Sequence, residues 1–126
     1  MPSYRPQRAT GKGDANHMIV RDYLRDRCGG FITAPKEVRG GSMGYAANYR
    51  GHLVTALDLS KFGGLLPDWL VACNGRVVLV EIKTPEAYAK INNNLTAGEA
   101  WTHEYIGLRI ICADEHVGEI LDDLIS

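Results

Sequence analysis

Leu65-Leu66-Pro67-Asp68-Trp69-Leu70-Val71-Ala72-Cys73-Asn74-Gly75-Arg76-Val77-Val78-Leu79-Val80-Glu81-Ile82-Lys83-Thr84 reads as two β-rich runs joined by Asn74-Gly75. Asn-Gly between such runs specifies a two-residue type I′ turn, because both central positions of that turn need positive φ. A two-residue loop also sets the register. Cys73 then faces Arg76, and counting outward brings Asp68 opposite Glu81. Opposed residues of an antiparallel pair have Cβ atoms roughly 4.5–5.5 Å apart on one face, and Lys83, two residues past Glu81, projects from that face too. Two carboxylates and an ammonium therefore converge. Like charges so placed destabilise a hairpin and raise one carboxyl pKa, a conflict that a cation between them relieves. Two carboxylates plus waters suit Mg²⁺ or Mn²⁺, which keep part of their hydration shell and leave room for a phosphate. The plainer reading is a buried hairpin in which Lys83 forms an incidental ion pair with Asp68 or Glu81.

Pro67-Asp68, a gap, then Glu81-Ile82-Lys83 resembles the PD-(D/E)xK signature of the restriction-endonuclease-like nucleases. Gly63-Gly64-Leu65-Leu66-Pro67-Asp68 before it and Leu95-Thr96-Ala97-Gly98-Glu99-Ala100-Trp101 after it resemble the small VRR-NUC type domains common in phages and the related Holliday-junction resolvases. Residues 14–125 can be laid on that pattern. The resemblance implies a three-layer sandwich and metal-dependent hydrolysis of DNA phosphodiester bonds, with branched or junction DNA as one substrate class. It implies that Asp68, Glu81 and the Ile82 carbonyl hold Mg²⁺ (or Mn²⁺), and that Lys83 acts on the attacking water and on transition-state charge. A homodimer is one assembly it allows.

The chain departs from the family at two places. Where the family often carries a Glu on its first helix, alignment on Leu24 and the following glycines puts His17, with Asn16 as its neighbour. His17 lies on the stripe of Val20 and Leu24. It either faces the site as a ligand or water orienter, or is a buried, satisfied histidine. Glu99 stands where the family often has Gln. These departures keep open a second function, a nucleic-acid-binding module on a nuclease-like scaffold that does not cut.

At 126 residues the chain has the size of one domain. Residues 1–13 read as a flexible basic arm and 14–126 as a single domain. No apolar run reaches the length of a membrane span and no signal-peptide core is present, so a cytoplasmic protein without membrane contact is expected. Cys28, Cys73 and Cys112 fall in no metal-ligand or paired spacing, which points to reduced thiols. The net charge of −1 hides an asymmetry: residues 1–50 carry nine Lys/Arg and four Asp/Glu, residues 51–126 five and eleven. Phosphate contacts come mostly from Lys and Arg, so a nucleic-acid partner is expected on the N-terminal half. The glycine-rich stretch from Ala34 to Gly64 offers Lys36, Arg39, Arg50 and Lys61 to phosphates and Tyr45 and Tyr49 to bases; a loop without a ligand is the alternative. Gly41-Ser42-Met43-Gly44 lacks the Gly-Lys-Ser/Thr of a phosphate loop.

The remaining elements follow from periodicity. Asp14 to Cys28 is helical, with Ile19, Val20, Tyr23, Leu24 and Cys28 on one stripe, Asp14 as cap and Gly29-Gly30 as stop. Strands are expected from Phe31 and over Leu53–Leu59. The hairpin strands are apolar on both faces, which predicts cover from both sides. Glu86–Asn94 reads as a mobile connection with room for a short helical turn. Thr96 and Glu99 form a capping box ahead of a stripe of Ala97, Ala100, Trp101, Tyr105 and Leu108; Glu99 and His103, at i and i+4, share a face and could mimic a metal pair, but capping is the preferred role for Glu99. Leu108–Cys112 is a buried strand. Asp114 caps a last helix whose outer face, Glu115, Glu119, Asp122 and Asp123, is acidic, so nucleic acid belongs elsewhere. This order of elements predicts an α/β sandwich: a central mixed β-sheet flanked by helices.

Overall fold

The computed structural model describes residues 16–33, 44–62, 66–90 and 95–126. The basic arm, the Asp14 cap, Lys36, Arg39, the Gly41-Ser42-Met43 segment and Asn92-Asn93-Asn94 lie outside them, as does the side chain of Lys61. The described chain is an α/β fold. In order it forms α1 (Ile19–Arg27), β1 (Gly44–Tyr49), β2 (His52–Asp58), a 3₁₀ turn (Ser60–Phe62), β3 (Trp69–Cys73), β4 (Arg76–Ile82), α2 (Pro85–Ala89), α3 (Ala97–Tyr105), β5 (Arg109–Ile111) and α4 (Asp114–Ile125).

The five strands make one sheet in sequence order, β1 to β4 antiparallel and β5 parallel to β4. A parallel neighbour needs a crossover of a dozen or more residues, and the segment carrying α2 and α3 supplies it. The β3–β4 hairpin has the register its turn demands. Cys73 pairs with Arg76 and Trp69 with Val80, and Asn74 and Gly75 have φ of 56° and 76°. Asp68 and Glu81 are the next residues outward on the two strands.

One face of the sheet carries the core. Trp69, Val71 and Cys73 of β3 and Val80 of β4 pack with Val20 and Leu24 of α1 and with Val117, Ile120, Leu121 and Leu124 of α4. Trp69 and Leu24 are wholly buried. Full burial of each side chain of this size stabilises by roughly 1.5–3 kcal/mol, so this face dominates the stability.

Several expectations are corrected. The hairpin is not covered on both sides: on the second face Val77 is 60% exposed, and Leu53 of β2 is 57% exposed. Val77 and Leu79 there line a shallow open depression with Ile106, Leu108 and Arg109. Much of the Ala34–Gly64 stretch is not loop: Gly44–Tyr49 and His52–Asp58 form a β-hairpin, and Phe31 reaches β1 as a single bridge to Ala47. The two tyrosines offered to bases are spent on packing, since Tyr45 packs against Phe31 and Trp69 and Tyr49 is buried with its hydroxyl on Asp122. The short helical turn allowed for the connection after Thr84 is present at Pro85–Ala89, because the Thr84 hydroxyl accepts from the Ala87 N–H and Pro85 occupies the first turn. Asp114 is not the cap of the last helix. Ala113 holds that place without a side-chain bond, and Asp114 in the first turn meets Arg27. The α3 stripe faces outward, with Trp101 and Tyr105 exposed; Thr102 is the buried residue, three positions after Glu99 and on its side of the helix. No described helix is long and apolar enough to cross a membrane, and the three cysteines are free thiols.

Candidate functional site

Three strands each deliver an acid to one end of the sheet. Asp58 ends β2 and pairs with Trp69, Asp68 immediately precedes β3, and Glu81 is the penultimate residue of β4. All three are buried, with Asp68 and Glu81 at 7% and 6% exposure. The backbone holds the first pair in place: the Asp68 carbonyl accepts from the Leu59 N–H at 2.8 Å, and Asp68 Oδ2 accepts from the Ile82 N–H at 2.9 Å. The β4–β5 pairing extends past Ile82, because the Lys83 N–H donates to the Ile111 carbonyl. Asn16 Nδ2 donates to the Lys83 carbonyl at 2.6 Å. Lys83 Nζ lies 3.9 Å from Glu81 Oε2 and donates at 2.7 Å to Glu99 Oε1. The sequence-derived trio of Asp68, Glu81 and Lys83 is thus brought together, with Glu99 as a fourth member.

His17 joins them from the turn that leads into α1. Its Nε2 is 3.1 Å from Asp58 Oδ1 and its Nδ1 is 3.7 Å from Asp68 Oδ1. The imidazole packs against the Trp69 ring, and the Trp69 indole N–H donates to the His17 carbonyl at 2.9 Å. Asp58 Oδ1 also accepts from the Ser60 N–H and hydroxyl. Burial works to raise the Asp58 carboxyl, but the Ser60 bonds and His17 outweigh it and hold the group below its usual range. His17 therefore reaches the acids and is also hydrogen-bonded, which joins the two roles the sequence left open.

Charge is unevenly shared in this cluster. Burial pushes the Glu81 carboxyl up to about 10, helped by the negative charge of Asp68 and by Glu99. Burial opposes ionisation of Glu99 as well, yet its bonds to Glu81, Lys83 and the Thr96 N–H hold it below the usual carboxylate range. The physical picture is one proton kept on Glu81 and donated to Glu99. Burial is the larger cause of that held proton and the neighbouring acids the smaller; a cation at the two carboxylates would offset both. Among the described residues no three His, Cys, Asp or Glu side chains form a ready-made metal cage. The oxygen donors that could hold a hard cation are the Asp68 and Glu81 carboxylates, and Mg²⁺ is commonly held by one or two carboxylates with waters and phosphate completing its shell.

Other residues are not brought here. Arg50 sits at the β1–β2 turn with φ of 51°, 3.1 Å from Asp122 and stacked over Tyr49. The length of β2, about 20 Å for seven residues, separates that turn from Asp58. His103 is exposed while Glu99 turns toward Lys83, so the two do not form a metal pair. Sequence reasoning missed Asp58 and reduced Glu99 to its cap. The signal for Asp58 was slight: an acid ending an apolar strand. Glu99 forms the capping box and the Lys83 contact with the same oxygen.

No family model, curated protein or solved structure matches this chain.

Proposed function

We propose that this chain is a divalent-metal-dependent nuclease of the PD-(D/E)xK, restriction-endonuclease-like class, hydrolysing phosphodiester bonds of DNA, with branched or junction DNA as one substrate class that the resemblance implies. The observation that carries the reading is the meeting of Asp68, Glu81 and Lys83 at one buried sheet end, with the Glu81 carboxyl pushed up to about 10 by burial and by its acidic neighbours. A structural ion pair would not need a second and third carboxylate.

In this reading Asp68, Glu81 and the Ile82 carbonyl would hold Mg²⁺ or Mn²⁺, which would supply polarisation of the phosphoryl oxygens and a lowered water pKa. Glu81 gives up its proton when it takes that role. Asp68 is kept oriented by the Ile82 N–H, and His17, fixed by Asp58, covers the side of Asp68. Lys83 offers its ammonium to the attacking water and to charge developing on the phosphate. The close hold of Glu99 on Lys83 favours a second reading, in which the lysine is structural and the domain binds nucleic acid without cutting it.

Labelled junction, flap, single-stranded and duplex DNA, incubated with Mg²⁺ or Mn²⁺ and with a chelator, separate the two. Cleavage that needs the cation and disappears in Asp68→Asn supports the nuclease. A gel shift without products supports the binding module, and cleavage indifferent to the chelator overturns the assigned site.

A further inference from the structure

The first turn of α3 is joined to the acidic end of the sheet through the Glu99 carboxylate, which meets both Lys83 and Glu81. Glu99 Oε1 accepts from the Thr96 N–H at 3.0 Å, closing the capping box, and from Lys83 Nζ at 2.7 Å, while Glu81 Oε2 stands 3.9 Å from the same ammonium. Both ends of the contact are confined: the Lys83 side chain is 14% exposed and that of Glu99 23% exposed. A helix cap needs no lysine, and an ion pair with Glu81 needs no Glu99.

Resting on the nuclease reading, we propose that Glu99 is the positioning residue for Lys83, holding the ammonium off Glu81 so that this carboxylate is left to a divalent cation. An ammonium placed on Glu81 alone competes with a cation for the same oxygens. Drawn to Glu99, it stays beside the site without occupying it. Gln at position 99 separates the two duties of the side chain. Its amide oxygen still accepts from the Thr96 N–H, since Glu and Gln both complete a capping box. Its hold on the ammonium falls from a charge-assisted to an ordinary hydrogen bond, roughly half as strong, and Lys83 moves onto Glu81.

The test is Mn²⁺ binding by calorimetry, with thermal melts, on wild type, Glu99→Gln, Lys83→Ala and the double variant, beside the DNA cleavage assay. Glu99→Gln is expected to lower the melting temperature modestly at neutral pH, where the stability of the ionised carboxylate is lost, and to weaken Mn²⁺ binding about tenfold, which corresponds to 1.4 kcal/mol. In the Lys83→Ala background the same substitution is expected to weaken binding only about twofold, because there is no ammonium to displace and only the lost charge counts. Equal weakening in both backgrounds overturns the proposal, as does a lowered melting temperature with Mn²⁺ affinity intact. The outcomes also separate this proposal from the activity it rests on. Coupling between positions 83 and 99 in a protein that cuts no DNA overturns the nuclease and keeps the clamp, whereas equal weakening with cleavage intact overturns the clamp alone. A wild type that binds no Mn²⁺ overturns both.

Discussion

Replacing Glu81 with Gln turns the charge arrangement into a stability measurement. The Glu81 carboxyl is moved from its usual 4.5 up to about 10, by burial first and then by Asp68 and Glu99. The folded protein therefore keeps a proton that the unfolded chain releases on passing pH 4.5. With the folded pKa above the unfolded one, the stability linked to this group is whole below pH 4.5 and falls as pH rises toward 10, by about 1.4 kcal/mol per pH unit. Between pH 4.5 and pH 7 the loss is about 3 kcal/mol. Glu99 works the other way, since its lowered pKa gives stability that is present above its unfolded value and lost in acid, so the wild-type profile is flatter than Glu81 alone would make it. Gln at position 81 keeps the shape of a protonated carboxyl and an N–H donor for Glu99, with no proton to hold. Without a divalent cation, Glu81→Gln should match wild type near pH 4.5 and exceed it by up to about 3 kcal/mol at pH 7, on the order of 10 °C in melting temperature. Urea denaturation in chelator at pH 5, 6, 7 and 8 reads this directly. A difference that is constant with pH, or a variant less stable than wild type at pH 7, would refute the assignment of the proton to Glu81.

Asp68→Asn should abolish cleavage while the cation-free melting temperature holds level or rises, since one of two close buried carboxylates is neutralised; near-normal turnover would move the metal site elsewhere. Lys83→Ala should bind Mn²⁺ close to wild type in calorimetry and lose most turnover, because the ammonium acts on water and phosphate and is no ligand; loss of binding together with activity would make Lys83 a structural partner only. His17→Glu sets a third carboxylate against Asp58 and Asp68, which stand 3.1 and 3.7 Å from the imidazole nitrogens, and should lower cation-free stability by about 2 kcal/mol. Imidazole suits Mn²⁺ better than Mg²⁺, so the same variant should shift the rate preference toward Mg²⁺. An unchanged Mn²⁺/Mg²⁺ rate ratio with a depressed melting temperature would remove His17 from the site.

What was legible in the sequence was local. The Asn74-Gly75 turn, its positive φ values and the register running outward to Asp68 and Glu81 follow from backbone sterics within twenty residues. The stripe of Val20 and Leu24, the Thr96–Glu99 box and the 3.6-residue pattern of the last helix are local in the same sense. An α/β fold with a mixed sheet follows from the order of such elements. Tertiary structure decided which side chains far apart in sequence share a volume. Only pairing of β2 with β3 brings Asp58 beside Trp69, and so within reach of His17, forty-one residues away. Only the crossover after β4 returns Glu99 to Lys83, and nothing in the Thr96–Glu99 spacing distinguishes a cap from a cap that also holds a lysine. Exposure was illegible for the same reason. Val77 looks like a core residue because it is apolar and lies in a strand, yet whether it is covered depends on what packs on the second face of the sheet, and that is a property of the whole chain rather than of the strand.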